Sequence, residues 1–231
     1  MKVNGIDIST FKAKLMSRTI TTPEFNTVYQ WGTDSLNYYY SQIGTDKFRT
    51  LKMKLDIICS NANELEVMKT KLVRELQETS IKFDDIEYNY NGFLVKEPSF
   101  TYIMKGNETI DVELLVVAEK DEVTVTIPVG TTSKSIDTGG TSSTPCIIEV
   151  TPTTTVSSLT IGGLSSNILM EDLVANRKYI INGYNGTVTE NGVNCFSKVD
   201  LWELPKLYAK YNNITINSSY VKVVFRFNPR L

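Results

Sequence analysis

The residues of this chain that could do acid or base chemistry are its carboxylates, because histidine is absent from all 231 positions. That absence removes the commonest general base, the commonest metal ligand and the usual neutral-pH switch. Ser-His-Asp and Cys-His nucleophile systems cannot be assembled, and zinc sites built on histidine are excluded. A glycosidase, however, needs only two carboxylates. Three clusters qualify by composition: Asp84-Asp85 with Glu87, Glu171-Asp172, and Asp200 with Glu203 beside Trp202. The third combines an aromatic platform with acids, as a sugar site does. Neighbouring residues on a strand point to opposite faces, so adjacency by itself reads as solvated surface charge. Trp202 is expected to be buried, since Leu201, Leu204 and Leu207 surround it.

Other chemistry finds little support. Gly162-Gly163 lacks the further glycines of a dinucleotide loop and the Lys of a P-loop, so it reads as a turn. Asn182-Gly183-Tyr184-Asn185-Gly186 is rich in turn residues but has no acidic ligands for calcium. The cysteines, Cys59, Cys146 and Cys195, are far apart and make no CxxC. An odd, low count suits a reducing compartment and buried free thiols. The reading is therefore no enzyme, no cofactor and no metal. A net charge of −2 and no basic stripe give no sign of nucleic-acid contact. The start, MKVNGIDIST, has no apolar core of a signal peptide. No apolar run approaches the ~20 residues that cross a bilayer, so no membrane insertion is expected. If the protein works outside a cell, it is expected to leave by lysis or as part of a particle.

The elements that must position these residues are mostly strands. Leu51, Met53, Leu55, Ile57 and Cys59 alternate with polar neighbours, the period of a half-buried strand. One helix is expected over about 61–79. Asn61 can cap it, Glu64 follows at capping-box spacing, and Leu65, Met68, Leu72 and Leu76 make an apolar stripe. Further strands are expected at 81–90, 93–104, 110–118 and 122–128. Gly, Ser and Thr dominate 131–145, which reads as a linker. After it come short strands at 146–150, 157–161, 167–173, 178–181 and 220–227, with Asn191-Gly192 as a hairpin turn. The fold class is mainly β. Residues 1–130 make a β-sheet or sandwich with one amphipathic helix, and residues 146–231 an all-β sandwich.

One segment has no clean period. Residues 19–46 are polar and aromatic, with Trp31 and the run Tyr38-Tyr39-Tyr40. Exposed Tyr and Trp are favoured at protein interfaces. The segment reads either as a hairpin folded on its own sheet or as an arm onto a neighbouring subunit. Trp31, Tyr38, Tyr39 and Tyr40 are the candidate contact residues.

Three stretches resemble the distal tail protein (Dit) family of siphophage-type tails. The first is Val3-Asn4-Gly5-Ile6-Asp7-Ile8-Ser9. The second is the order strand, helix, strands over 48–128. The third runs from Ile181-Asn182-Gly183 through Gly186-Thr187-Val188 to Leu201-Trp202-Glu203-Leu204-Pro205-Lys206-Leu207 and Asn213-Ile214-Thr215-Ile216. The resemblance implies a virion structural protein made in the host cytoplasm and located at the tail tip. It implies a homo-hexameric ring formed by residues 1–130, joining the tail tube protein to a tail-tip or tail-associated protein of the baseplate. It implies a galectin-like domain after the linker, projecting outward and able to carry a receptor-binding protein. The alternative reading is a carbohydrate-binding β-sandwich used in adhesion to host surfaces.

Overall fold

A computed structural model describes residues 1–23, 26–31, 38–43 and 48–231, and for 26–31 and 38–43 it describes the backbone only. The chain divides into two compact units, Met1–Glu119 and Lys120–Leu231.

The first unit is one eight-stranded antiparallel sheet with a helix. Its longest strand, Asn107–Glu119, pairs along one side with Arg49–Ile58. Along the other side it pairs with Asn89–Leu94 through residues 114–119 and with Ser99–Met104 through residues 107–111. The expected alternation holds: Leu51, Met53, Leu55 and Ile57 are buried, as are Ile110, Val112, Leu114 and Val116. Ala13–Ile20 closes one edge beside Arg49–Ile58, with an irregularity between Leu15 and Ser17. Asn26–Trp31 and Tyr38–Ile43 form a separate two-stranded sheet.

The helix is Ala62–Gln77. Asn61 Oδ1 accepts from the Glu64 N–H at 2.9 Å, and Glu64 Oε2 accepts from the Ser60 N–H at 2.9 Å. The reciprocal bonding of the first turn is present, with the glutamate reaching one residue further back than in the standard box. Leu65, Leu72 and Leu76 are its buried residues. It ends two residues earlier than expected because Glu78–Lys82 is already a strand, paired with Asn89–Leu94.

The second unit is two packed antiparallel sheets, seven- and five-stranded, sharing one core. Ile148, Val150, Tyr179, Ile181, Val223 and Phe225 come from the first sheet. Ile136, Leu159, Ile161, Ile168, Met170 and Ile214 come from the second. In such a two-layer arrangement the inward residues of both sheets form one core. Asn191 and Gly192 both take positive φ, 48° and 87°, between Val188–Glu190 and Val193–Asn194. That is the two-residue hairpin turn the Asn-Gly pair favours.

The boundary is a correction. Val123–Ile127 pairs with Val221–Phe227, so the second unit begins at Lys120 and not after residue 130. The expected linker at 131–145 is part of the sandwich: Ser133–Asp137 pairs with Tyr211–Ile216, and Thr144–Pro152 starts inside it. Its small residues serve close backbone packing. A Cβ at Gly140 would lie 2.5 Å from the Arg230 carbonyl oxygen. The buried Thr138 hydroxyl donates to the Lys210 carbonyl at 3.3 Å, and the Thr141 N–H donates to the Arg230 carbonyl at 2.8 Å. Composition cannot separate a solvated linker from a segment laid tightly against a strand.

Glu190 sits between Lys198 Nζ at 2.9 Å and Arg177 Nη1 at 2.6 Å, which hold its carboxyl down at about 2 against an ordinary value of 4.5. A carboxylate whose folded pKa is depressed stabilises the fold above its unfolded value and loses that contribution as pH falls through the folded one. Between about pH 4.5 and pH 2, thermal melts of the wild type should lose stability that a Glu190→Gln variant has already lost at neutral pH. The gap between the two should close on acidification. Leu72→Ala should cost the first unit about 2–5 kcal/mol in a denaturant titration, as a fully buried leucine truncation does. Asn61→Ala should cost about 1 kcal/mol through the lost cap.

Candidate functional site

Of the carboxylate clusters, Asp84 and Asp85 line one open hollow of ≈ 550 Å³, and both are engaged in ion pairs. Asp85 is held by both Nη atoms of Arg18, at 2.7 and 2.5 Å, in a bidentate pair. That bonding keeps its pKa below the usual carboxylate range. Asp84 accepts from the Met1 amino group at 2.7 Å. Glu171 and Asp172 are exposed, as are Asp200 and Glu203. Among the described residues no group of three or more Cys, Asp or Glu is placed to hold a metal ion. Gly162-Gly163 is the end of a strand and a turn. Gly163 has φ 90°, and a Cβ there would strike the Asn213 carbonyl oxygen. Cys146 and Cys195 are buried and Cys59 half-buried, all as free thiols. Burial pushes the Cys146 thiol up to about 12, so it holds its proton at neutral pH.

Trp202 reverses its expectation. It is 83 % exposed, although Leu207 five residues later is fully buried. The reason is local: residues 201–205 bulge between the short strands Val199–Asp200 and Lys206–Leu207, which belong to different sheets. The chain turns Leu207 inward and leaves Trp202 and Leu204 outside. Leu204 lies against the turn at 182–187, where a Cβ on Gly186 would come within 3.1 Å of it. Tyr184 of that turn is also exposed.

The predicted contact residues lie on the separate hairpin. Its register sets Trp31 opposite Tyr38, Gln30 opposite Tyr39 and Tyr29 opposite Tyr40. The side chains of Trp31, Tyr38, Tyr39 and Tyr40 lie outside the described residues.

The sequence reading missed a second surface, treating 93–104 as one strand. The chain makes two there, and the second, Ser99–Met104, is exposed at every residue. Phe100, Tyr102, Ile103 and Met104 are all outside, with Tyr102 67 % exposed. Its one pairing partner among the described residues is Asn107–Glu119, so its outer edge is open. Phe100 and Tyr102 oppose Ile110 and Glu108, and Lys69 of the helix sits 4.4 Å over the Phe100 ring. Burial opposes the charge of Lys69, but Glu108 at 2.8 Å and Glu66 at 2.9 Å outweigh it and raise its pKa. A signal was present in the sequence: six strand-forming residues after Pro98 without one charge.

No protein-family model matches this sequence, and no curated protein matches it. Solved structures do. The Dit protein of phage SPP1, described as a paradigm of the hub adsorption apparatus in phages infecting Gram-positive bacteria, superposes with a TM-score of 0.77 at 10 % identity. That match covers 99 % of this chain and 97 % of the SPP1 protein. Two structures of the phage P2 baseplate in its activated conformation, one with calcium and one with strontium, each match at TM-score 0.54 and 9 % identity. Each of those covers 97 % of this chain and 93 % of the other. At such identities the likeness is one of fold, and over nearly its whole length this chain has the mainly-β fold of the SPP1 Dit protein.

Proposed function

We propose that this chain is a structural hub component of a phage or phage-like tail, without enzymatic activity. The observation that carries the reading is the full-length match to the SPP1 Dit protein, which spans both units rather than one common sandwich. The absence of histidine agrees with it, as does the engagement of Asp85 with Arg18 and of Asp84 with the Met1 amino group. In this reading the first unit builds a ring of copies, six in the family the sequence resembles. Trp31, Tyr38, Tyr39 and Tyr40 form the arm onto the next copy. The ring joins the tail tube to a tail-tip protein, and the second unit, a galectin-like sandwich in this reading, faces outward and presents receptor-binding parts. The location is the virion tail tip. A ring subunit buries heterologous surfaces that close on rotation, and permanent assemblies bury on the order of 2,000 Å² or more.

Immunogold electron microscopy of particles from the producing lysate tests this reading. Label is expected at the distal end of the tail tube. Label absent from purified particles, with the protein free in the supernatant, would refute it.

A carbohydrate-binding role has one observation in its favour, the exposure of Trp202, which adjoins Glu203 and lies two residues from Asp200 in sequence, both also exposed. Aromatic faces of this kind stack on sugars and also anchor protein partners. If the outward unit binds host polysaccharide, titrating it with purified cell-wall glycan should quench Trp fluorescence, and Trp202→Ala should weaken binding at least tenfold. Equal binding by wild type and variant would remove the sugar reading.

A further inference from the structure

We propose that Asn191 is a site of spontaneous deamidation, where the chain converts its own asparagine to aspartate and isoaspartate, and that the change loosens the hairpin around it. The site goes beyond the hub reading and does not depend on it.

Asparagine followed by glycine is the pair most open to this reaction, because the attacking amide has no side chain beside it. The backbone nitrogen of the glycine bonds to the asparagine Cγ. The Cγ–Nδ2 bond breaks, ammonia leaves with the proton given up by the attacking nitrogen, and a succinimide ring closes. Solvent water then opens the ring at either carbonyl. Breaking the bond from the glycine nitrogen to Cγ gives aspartate. Breaking the bond from that nitrogen to the backbone carbonyl carbon gives isoaspartate, whose backbone is longer by a methylene.

The sequence holds five such pairs: Asn4-Gly5, Asn91-Gly92, Asn182-Gly183, Asn185-Gly186 and Asn191-Gly192. An N–H that is already donating must break its bond before its nitrogen can turn on Cγ. The Gly183 N–H donates to the Cys146 carbonyl at 3.0 Å, and the Gly186 N–H to the Asn182 carbonyl at 2.8 Å. Gly92 lies in a strand paired on both sides, opposite Thr79 and Val116, where even a Cβ would strike the Leu115 carbonyl oxygen.

The two remaining pairs make the same turn. Asn4 and Gly5 have φ 50° and 79° between the paired Val3 and Ile6. Asn191 and Gly192 have φ 48° and 87° between the paired Glu190 and Val193. Neither glycine N–H has a partner among the described residues. A Cβ on either glycine would meet nothing within 4 Å, so a ring has room to close. The side-chain amides separate the two. Asn4 Nδ2 donates to the Glu75 carbonyl at 3.0 Å and to Glu75 Oε2 at 2.9 Å, while its Oδ1 accepts from the Ser80 N–H at 2.8 Å. Both ends of that amide are fixed, and its leaving nitrogen is tied down. Asn191 is held at the oxygen alone, where Oδ1 accepts from the Lys178 N–H at 3.0 Å. That one bond favours reaction, because a donor on the carbonyl oxygen stabilises the oxyanion that forms as the nitrogen adds.

The same residue ties the turn to the strand beside it. The Asn191 N–H donates to the Lys178 carbonyl at 2.8 Å, so backbone and side chain both grip Lys178. Isoaspartate adds a methylene to a two-residue turn that fixes the register of its strands. Either product also puts a new carboxylate next to Glu190, which already gathers Lys198 and Arg177.

Peptide mapping by mass spectrometry of the full-length chain, aged in mildly alkaline buffer with and without denaturant, tests this. In the folded chain Asn191 is expected to convert about tenfold faster than Asn4 or any other pair, the ratio expected from roughly one net hydrogen bond in the barrier. In denaturant the five rates should converge. The converted form carries an added negative charge, separates by anion exchange and is expected to melt below the fresh protein. A folded chain in which Asn191 persists while another pair converts, or in which all five convert at one rate, overturns the assignment. So does an Asn191 that converts in denaturant but not in the folded chain. A converted form with the thermal midpoint of fresh protein overturns the loosening of the hairpin.

Discussion

Every backbone N–H and C=O of a strand must be paired or solvated, and in the first unit that demand converges on Asn107–Glu119. Its thirteen residues serve one long neighbour on one side and two short neighbours on the other. Its alternate residues, from Ile110 to Ala118, are buried, as are Leu65, Leu72 and Leu76 of the helix. The register follows from this, since a slip of one residue would turn the whole apolar set to solvent. So does the open edge, because Asn89–Leu94 ends before residue 113 and the vacant stretch is taken by a short strand that has no second partner strand among the described residues.

The second unit solves the same problem differently. Val221–Phe227 lies between Val123–Ile127 and Thr144–Pro152, so the last strand of the chain ties the first strands of its unit into one sheet. Antiparallel sheets stacked in this way bury both inner faces. They leave the outer faces to ion pairs such as Glu149 with Lys178, at 2.5 Å, and with Arg226. Paired charges on a solvated face contribute modestly to stability. The distinctive surfaces among the described residues are strand edges and exposed aromatics.

Period-two alternation, the capped helix stripe and the Asn-Gly turn were legible residue by residue, because each depends on neighbours within a few positions. Asn61 and Glu64 made the helix start visible, and Val221, Val223 and Phe225 the last strand. By itself the sequence determined the mainly-β class, the single amphipathic helix and the lack of histidine-based chemistry. The tertiary structure alone decided the unit boundary at Lys120, the incorporation of 131–145 into the sandwich, the exposure of Trp202 and the open edge at Ser99–Met104. The physical reason is common to all four. Whether a strand is central or at an edge, and whether a small-residue segment is solvated or packed, depends on which distant strand lies beside it. That partner is chosen by pairing across up to about a hundred residues, as between Val123 and Phe227.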